Sequence, residues 1–139
     1  MNTPPIEALP VVQAKRFGVY TCTPDDSLAS AVQTMFDRDV SALVVVDADG
    51  FLEGIITRTD MIRACKESED WPARPVADFM TRDVVTVPLT ATLGQVIDLL
   101  LQEHIHRVVA VEEKAGRFVP VSVLSAADVV YHMARKFPS

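Results

Sequence analysis

The chain has 139 residues, a formal net charge of −6 and an apolar share of 49%, with an acidic isoelectric point near 4.9 and a positive mean hydropathy. That length suits one compact domain, so two halves of it are expected to share a core. The acidic balance leaves no basic patch for nucleic acid or an anionic membrane surface, and the high apolar share points to a face hidden in an oligomer, a homodimer by default.

Residues 1–10, with prolines at positions 4, 5 and 10, read as a flexible N-terminal arm. They lack the basic and apolar regions of a secretion signal, and no later run is long enough to span a bilayer, so a cytoplasmic protein is expected. Gly18 to Thr23 reads as a short strand ended by Pro24, after which Asp25 or Asp26 is placed to cap a helix carrying Leu28, Val32, Met35 and Phe36 on one face. Ser41 to Val46 is almost wholly apolar, as for a strand covered on both faces, and Asp47-Ala48-Asp49-Gly50 turns it into a second strand, Phe51 to Ile56. A helix then begins near Asp60 and runs through Met61, Ile62 and Ala64.

Residues 67–75, charged and broken by Pro72 and Pro75, form a linker, with Trp71 read as a plug at the seam between halves rather than a partner anchor. The second half repeats the order: Val84 to Val87 as a short strand, Leu93, Val96, Ile97, Leu100 and Leu101 as a helix face, His106 to Val111 and Phe118 to Leu124 as a hairpin, and a last helix from Asp128 through Val129, Val130 and Met133. Cys22 and Cys65 lie apart with no Cys-x-x-Cys spacing and read as small buried residues, outside any disulfide or metal site.

The two halves are one pattern written twice. Leu28 superposes on Leu93, and the same offset carries Val11 onto Val76, Val19 onto Val84, Thr21 onto Thr86, Met35 onto Leu100 and Val46 onto Val111. By Asp60 and Asp128 the offset has grown by three residues, a slip assigned to a longer hairpin turn at Glu112 to Arg117. The expected division is therefore an arm over 1–10, a first repeat over 11–66, a linker over 67–75 and a second repeat over 76–135. The fold class is mixed α/β (α+β), with two β-α-β-β-α repeats packed about a pseudo-twofold axis.

Each half closes on a hydroxyl three residues before an aspartate: Thr57-Arg58-Thr59-Asp60 and Ser125-Ala126-Ala127-Asp128. Placed between an apolar strand and an apolar helix, this is a grip for ribose and phosphate, not a catalytic device. The competing reading is structural, because a carboxylate favours the positive end of a helix and a threonine can merely cap it. His104 and His106 alternate on the approach to a strand and converge with no Cys or carboxylate, which argues against a metal site, and His132 reads as a surface or dimer-face residue. No phosphate-binding glycine loop, nucleophile elbow or His-Glu-x-x-His string is present, so no catalytic residues are assigned.

Val76-Ala77-Asp78-Phe79-Met80-Thr81-Arg82-Asp83-Val84-Val85-Thr86-Val87, together with the ending Gly54-Ile55-Ile56-Thr57-Arg58-Thr59-Asp60, resembles tandem cystathionine-β-synthase (CBS) domains, a Bateman module, over about residues 11–135. The resemblance implies a regulatory pair of repeats, often dimerised into a disc, with clefts between paired sheets that bind adenosine-containing ligands. It carries Asp60 and Asp128 onto the position that accepts hydrogen bonds from ribose hydroxyls. Thr57 and Ser125 fall at the hydroxyl position that meets phosphate or ribose, and Thr59 at a second one whose counterpart, Ala127, has nothing to donate. Gly54 becomes Ser122 in the second half, a departure from the family pattern.

His106-Arg107 resembles the family pair that reaches phosphates, whereas the first half has Ser41-Ala42 there. Hydroxyls thus concentrate in one half and cations in the other, and one strong composite site per chain is expected. The base lies against Val19, Tyr20, Val84 and Val85, and Arg58 and Thr21 complete the candidate set. Three readings follow. The first is a non-catalytic sensor of AMP, ADP, ATP or S-adenosylmethionine that signals to a separate protein by conformational change. The second is a ligand-independent dimerisation scaffold. The third is an enzyme on a bound nucleotide, for which His106 and Asp128 are the only conceivable acid/base groups.

Overall fold

A computed structural model describes residues 5–16 and 18–136. Its elements run α1 (Val11–Ala14), β1 (Thr21–Cys22), α2 (Leu28–Arg38), β2 (Ala42–Val46), β3 (Leu52–Thr57), α3 (Arg58–Glu67), β4 (Thr86–Pro88), α4 (Leu93–Gln102), β5 (Arg107–Lys114), β6 (Arg117–Ser125) and α5 (Ala126–Lys136). Short 3₁₀ turns occupy Ile6–Ala8, Trp71–Ala73 and Val76–Asp78. The chain divides into two compact units: a central unit, Val19–Val84, and an outer unit made of the residues up to Gly18 and those from Val85 onward.

In the central unit β2 pairs in parallel with β1 and antiparallel with β3. Leu43, Val44 and Val45 are all fully buried, so β2 is covered on both faces, as its unbroken apolar run requires. Leu28, Ala31 and Met35 of α2 meet Leu43, Val45 and Ile56 of the sheet and Met61 and Ala64 of α3 in one core, against which Trp71 packs. The helix cap is neither Asp25 nor Asp26. Ser27 accepts from the Ser30 amide at 3.1 Å, while Asp26 accepts from Thr23 N at 2.9 Å and closes the preceding turn.

The outer unit has the same sheet: β5 pairs in parallel with β4 and antiparallel with β6. Its core joins Leu93 and Val96 of α4, Val108 and Ala110 of β5 and Leu124 of β6 to Val11 and Ala14 of α1. The expected shared core is thus two separate clusters, each internal to one unit.

The reason lies in the leading segments. In the central unit Leu28 N donates to Arg74 O at 2.9 Å and Val76 N to Asp26 O at 2.8 Å. The repeat-equivalent bonds of the outer unit are Leu93 N to Leu9 O at 2.7 Å and Val11 N to Ala91 O at 2.9 Å. Pro75 bridges Ser27, and Pro10 bridges Thr92. Residues 76–84, at the head of the second repeat in sequence, thus pack with the central unit, and residues 11–16 at the head of the first pack with the outer one. These bonds join residues far apart in the chain, so no local periodicity signals them. The expected arm is likewise part of the fold over residues 5–10, where Ile6 and Leu9 pack on the outer core; its first four residues lie outside the described ones.

The three-residue slip is also differently built. β5 and β6 stay paired out to Lys114 opposite Arg117, leaving a two-residue turn of Ala115 and Gly116 with φ of 54° and 75°. The insertion lengthens the ladder instead of loosening the turn, because positive φ at both turn positions matches the twist of the flanking strands. Both hairpins keep a bulge at the same place, between Val45 and Val46 and between Ala110 and Val111.

Of the two cysteines, Cys22 is buried and Cys65 is exposed. Cys65 follows the core residue Ala64 on α3, where the next helical position turns outward. No helix among the described residues is long and apolar enough to cross a membrane.

Candidate functional site

Each unit ends its sheet in a turn that delivers a hydroxyl and a carboxylate to the start of a helix. In the central unit Thr57 is the N-cap of α3 and Asp60 its third residue, so the helix starts before Asp60. Asp60 Oδ2 accepts from Thr57 N at 2.9 Å and from Thr57 Oγ1 at 3.1 Å, and Thr57 Oγ1 accepts from Asp60 N at 3.3 Å. This reciprocal capping box satisfies amides that a helix terminus otherwise leaves unpaired. In the outer unit Asp128 Oδ2 accepts from Ser125 N at 2.8 Å and from Ser125 Oγ at 3.2 Å. Both aspartates are only 5% exposed, and a buried carboxylate requires such partners.

The second carboxylate oxygen of each is held by an arginine that the sequence reading did not single out. Asp60 Oδ1 lies 2.7 Å from Arg63 Nη2, one turn along the same helix. Asp128 Oδ1 lies 2.7 Å from Arg16 Nε, which comes from the segment after α1. Arg63 was legible by its spacing, since residues three apart share a helix face. Arg16 carried no such signal. Tyr131 fills the α5 position equivalent to Arg63, and the Arg16 guanidinium lies over its ring, 4.7 Å from the centroid.

The other candidates divide between the units. In the outer unit Arg107 opens β5 directly opposite Ser125, so a cation, a hydroxyl and the Asp128 carboxylate share one end of the sheet. His106 precedes it with an exposed side chain, and its carbonyl accepts from Ala126 N at 3.1 Å, fastening the start of α5. Val85 packs on the outer core, and its carbonyl accepts from Val109 N at 3.0 Å.

In the central unit Tyr20 makes the equivalent bond to Val44 N at 3.0 Å, and its exposed ring is covered by Arg38 at 5.4 Å. Val19 and Val84 are half-buried, and Thr21 is exposed on β1 opposite Val44. Arg58 and Thr59 are exposed at the start of α3, Arg58 reaching Asp39 at 3.5 Å.

Gly54 has a steric reason. A Cβ there would stand 2.6 Å from Thr81 O and 3.2 Å from Met80 Sδ, since Ile55 and Thr81 exchange backbone bonds of 2.9 and 2.8 Å. Ser122 takes the equivalent place in the outer unit and is buried there.

The duplicated β-α-β-β-α sheet unit, closed each time by a hydroxyl–aspartate helix start, defines a class of small paired modules. A family profile described as CBS domain matches residues 1–67 and 76–135, and the chain belongs to the CBS-domain family. It is 30% identical over 113 residues to an inosine-5'-monophosphate dehydrogenase of Nitrosopumilus maritimus, covering 77% of this chain and 22% of that enzyme. The chain thus spans about a fifth of the length of that relative. Among solved structures, the CBS domain pair of protein MJ0100 in complex with 5-methylthioadenosine and S-adenosyl-L-methionine aligns over 96% of this chain and all of that one, at 21% identity and a TM-score of 0.81. CBSX2 in complex with AMP aligns over 85% and 89%, at 21% identity and a TM-score of 0.71.

Proposed function

We propose that the protein is a regulatory module that binds an adenosine-containing ligand, AMP, ADP, ATP or S-adenosylmethionine, and passes its occupancy to a partner protein through a change of conformation. The observation that carries this reading is the placement of Asp128, Ser125 and Arg107 at one end of the outer sheet. A buried carboxylate is a strong acceptor for a ribose diol, and a guanidinium forks onto phosphate oxygens. Thr57, Arg58, Thr59 and Asp60 are the corresponding grip of the central unit in this reading, and Val19, Tyr20, Thr21 and Val84, with Val85 and His106 of the outer unit, complete the proposed ligand set. Adenosyl ligands in the structures of MJ0100 and CBSX2 support the same ligand class. A ligand shifts such a module only by the difference between its affinities for two states.

A second reading, a ligand-independent assembly module, is favoured by a specific observation. Both oxygens of Asp60 and of Asp128 already have protein partners, and each unit leaves large apolar residues exposed on its helices. Phe36 is 81% exposed and Ile62 70%, and their repeat equivalents Leu101 and Val130 are 70% and 60% exposed. The same pattern in both units suits burial against a second copy of the chain, as a homodimer.

A thermal-shift panel with AMP, ADP, ATP, S-adenosylmethionine and NAD, and GMP as base control, separates the two. A ligand at 100 times its dissociation constant adds about 2.7 kcal/mol, a midpoint rise of several degrees. A rise selective for one adenosyl ligand, abolished in Asp60→Asn or Asp128→Asn, supports the sensor. A flat panel from a stable dimer supports the assembly module.

A further inference from the structure

The outer unit carries an open pocket of about 530 Å³ between the leading segment, where Leu9 and Gln13 contribute to its floor, and α5. Its walls are Lys15 and Arg16 from the segment after α1 and Tyr131, His132 and Arg135 from α5. Three permanent cations and a histidine line it with no carboxylate among the lining residues, in a chain whose net charge is −6. Among the described residues, no carboxylate lies within ion-pair reach of Lys15 or Arg135. Both side chains are exposed.

Three of the walls, Arg16, His132 and Arg135, are held by protein contacts. His132 Nε2 donates to Ala14 O at 2.7 Å, which requires the tautomer with hydrogen on that nitrogen. Arg16 binds Asp128 and lies 4.7 Å over Tyr131, and Arg135 lies 5.4 Å over the same ring while its Nη1 donates to Tyr131 Oη at 2.8 Å. His132 is thus a tether between α1 and α5 rather than a free surface residue. The aromatic ring holds two guanidiniums on a fixed platform, so little side-chain entropy remains to be lost on binding.

We infer that this pocket binds an oligophosphate: an anion with several linked phosphate groups, either free or as the tail of a nucleotide. A monocarboxylate satisfies one fork, whereas linked phosphates present a charge at each unit and meet cations from both elements. The acidic net charge offers no long-range steering, so short-range contacts with Lys15 and Arg135 must carry the affinity, and added salt weakens it. The inference is independent of the ribose grip, although Arg16 touches both places.

Calorimetric titration of the full chain at low salt tests it, with tripolyphosphate, ATP and adenosine as probes. Tripolyphosphate is expected to bind the wild type and to bind Lys15→Ala/Arg135→Ala about tenfold more weakly or worse. Both residues are exposed, so the unfolding midpoint serves as the folding control, and Arg135→Gln alone is expected to give a smaller loss. ATP that competes with tripolyphosphate, with adenosine silent in that competition, identifies a nucleotide tail as the source; ATP that does not compete identifies a free oligophosphate. No binding by the wild type, unchanged affinity in the double variant, or loss on Arg107→Ala in place of it overturns the proposal. Failure of the adenosyl reading appears separately, as a flat response to adenosine-containing probes with tripolyphosphate binding intact.

Discussion

Arg16 neutralises Asp128 from 112 residues away, Nε to Oδ1 at 2.7 Å. At the equivalent aspartate of the central unit the same charge is supplied by Arg63, three residues along the helix. One bond therefore ties a leading segment to the functional turn, whereas the other is local to α3. The two repeats solve the same electrostatic problem with different elements, and the consequences for stability differ.

Asp60→Asn and Asp128→Asn each keep an oxygen to accept the capping bond while removing the charge. At Asp60 the released Arg63, whose side chain is 46% exposed, turns into water, and the loss is about 1 kcal/mol or less. At Asp128 the Arg16 side chain is 27% exposed and loses its counter-charge in place, so the loss is about 2 kcal/mol, below the 3–5 of a fully buried pair. Denaturant unfolding of the two variants measures the difference, and equal losses would contradict it.

Gly54→Ala places a methyl group 2.6 Å from Thr81 O, a backbone atom that cannot swing aside. The pairing of β3 with residue 81 must open, at a cost of about 1–3 kcal/mol. Ser122→Gly removes a side chain the outer unit accommodates and costs about 0.5–1 kcal/mol through added freedom of the unfolded chain. Unfolding midpoints of the two variants should therefore fall by unequal amounts, with Gly54→Ala the lower.

Thiol labelling should divide the cysteines. Cys65 is exposed and reacts in the native state, whereas burial first, and the nearby Asp26 carboxylate second, push the Cys22 thiol up from its ordinary 9.0 to about 12. A thiol raised in the folded state favours folding fully below pH 9.0, and that contribution is lost as pH rises from there toward 12. One equivalent of label at pH 8 and a second only on unfolding is the expected result; stability of Cys22→Ala should be less sensitive than the wild type across that alkaline window.

Self-association is expected to depend on the exposed helix faces. Phe36→Glu and Leu101→Glu put a charge on repeat-equivalent apolar positions and should each shift light-scattering mass from dimer to monomer, with Lys114→Glu at the end of β5 as a control. A monomeric wild type, or a dimer untouched by either change, removes the homodimer from the proposal.

Much of this was legible in the chain. The unbroken apolar run Leu43 to Val46, the helical spacing of Leu28, Ala31 and Met35, and the doubled hydroxyl–aspartate endings are short-range patterns, which local sterics and hydrogen bonding impose wherever they occur. The repeat offset then placed Ser125 and Asp128 by analogy with Thr57 and Asp60. Local pattern misjudged Asp26, which closes a turn instead of capping α2, and Cys65, which lies one helical step outside the core.

By itself the sequence determined the strands, the longer helices, their duplication and the two aspartates, because each rests on residues within a few positions of one another, whereas the short helix Val11–Ala14 was not legible. Only the tertiary structure decided which leading segment completes which unit, that Arg16 reaches Asp128, that Arg107 stands across from Ser125, and that Lys15 and Arg135 share a pocket. Apart from the hairpin pair Arg107 and Ser125, those relationships join residues separated by tens of positions, where the chain between them carries no memory of the distance and only packing of the assembled core brings the groups together.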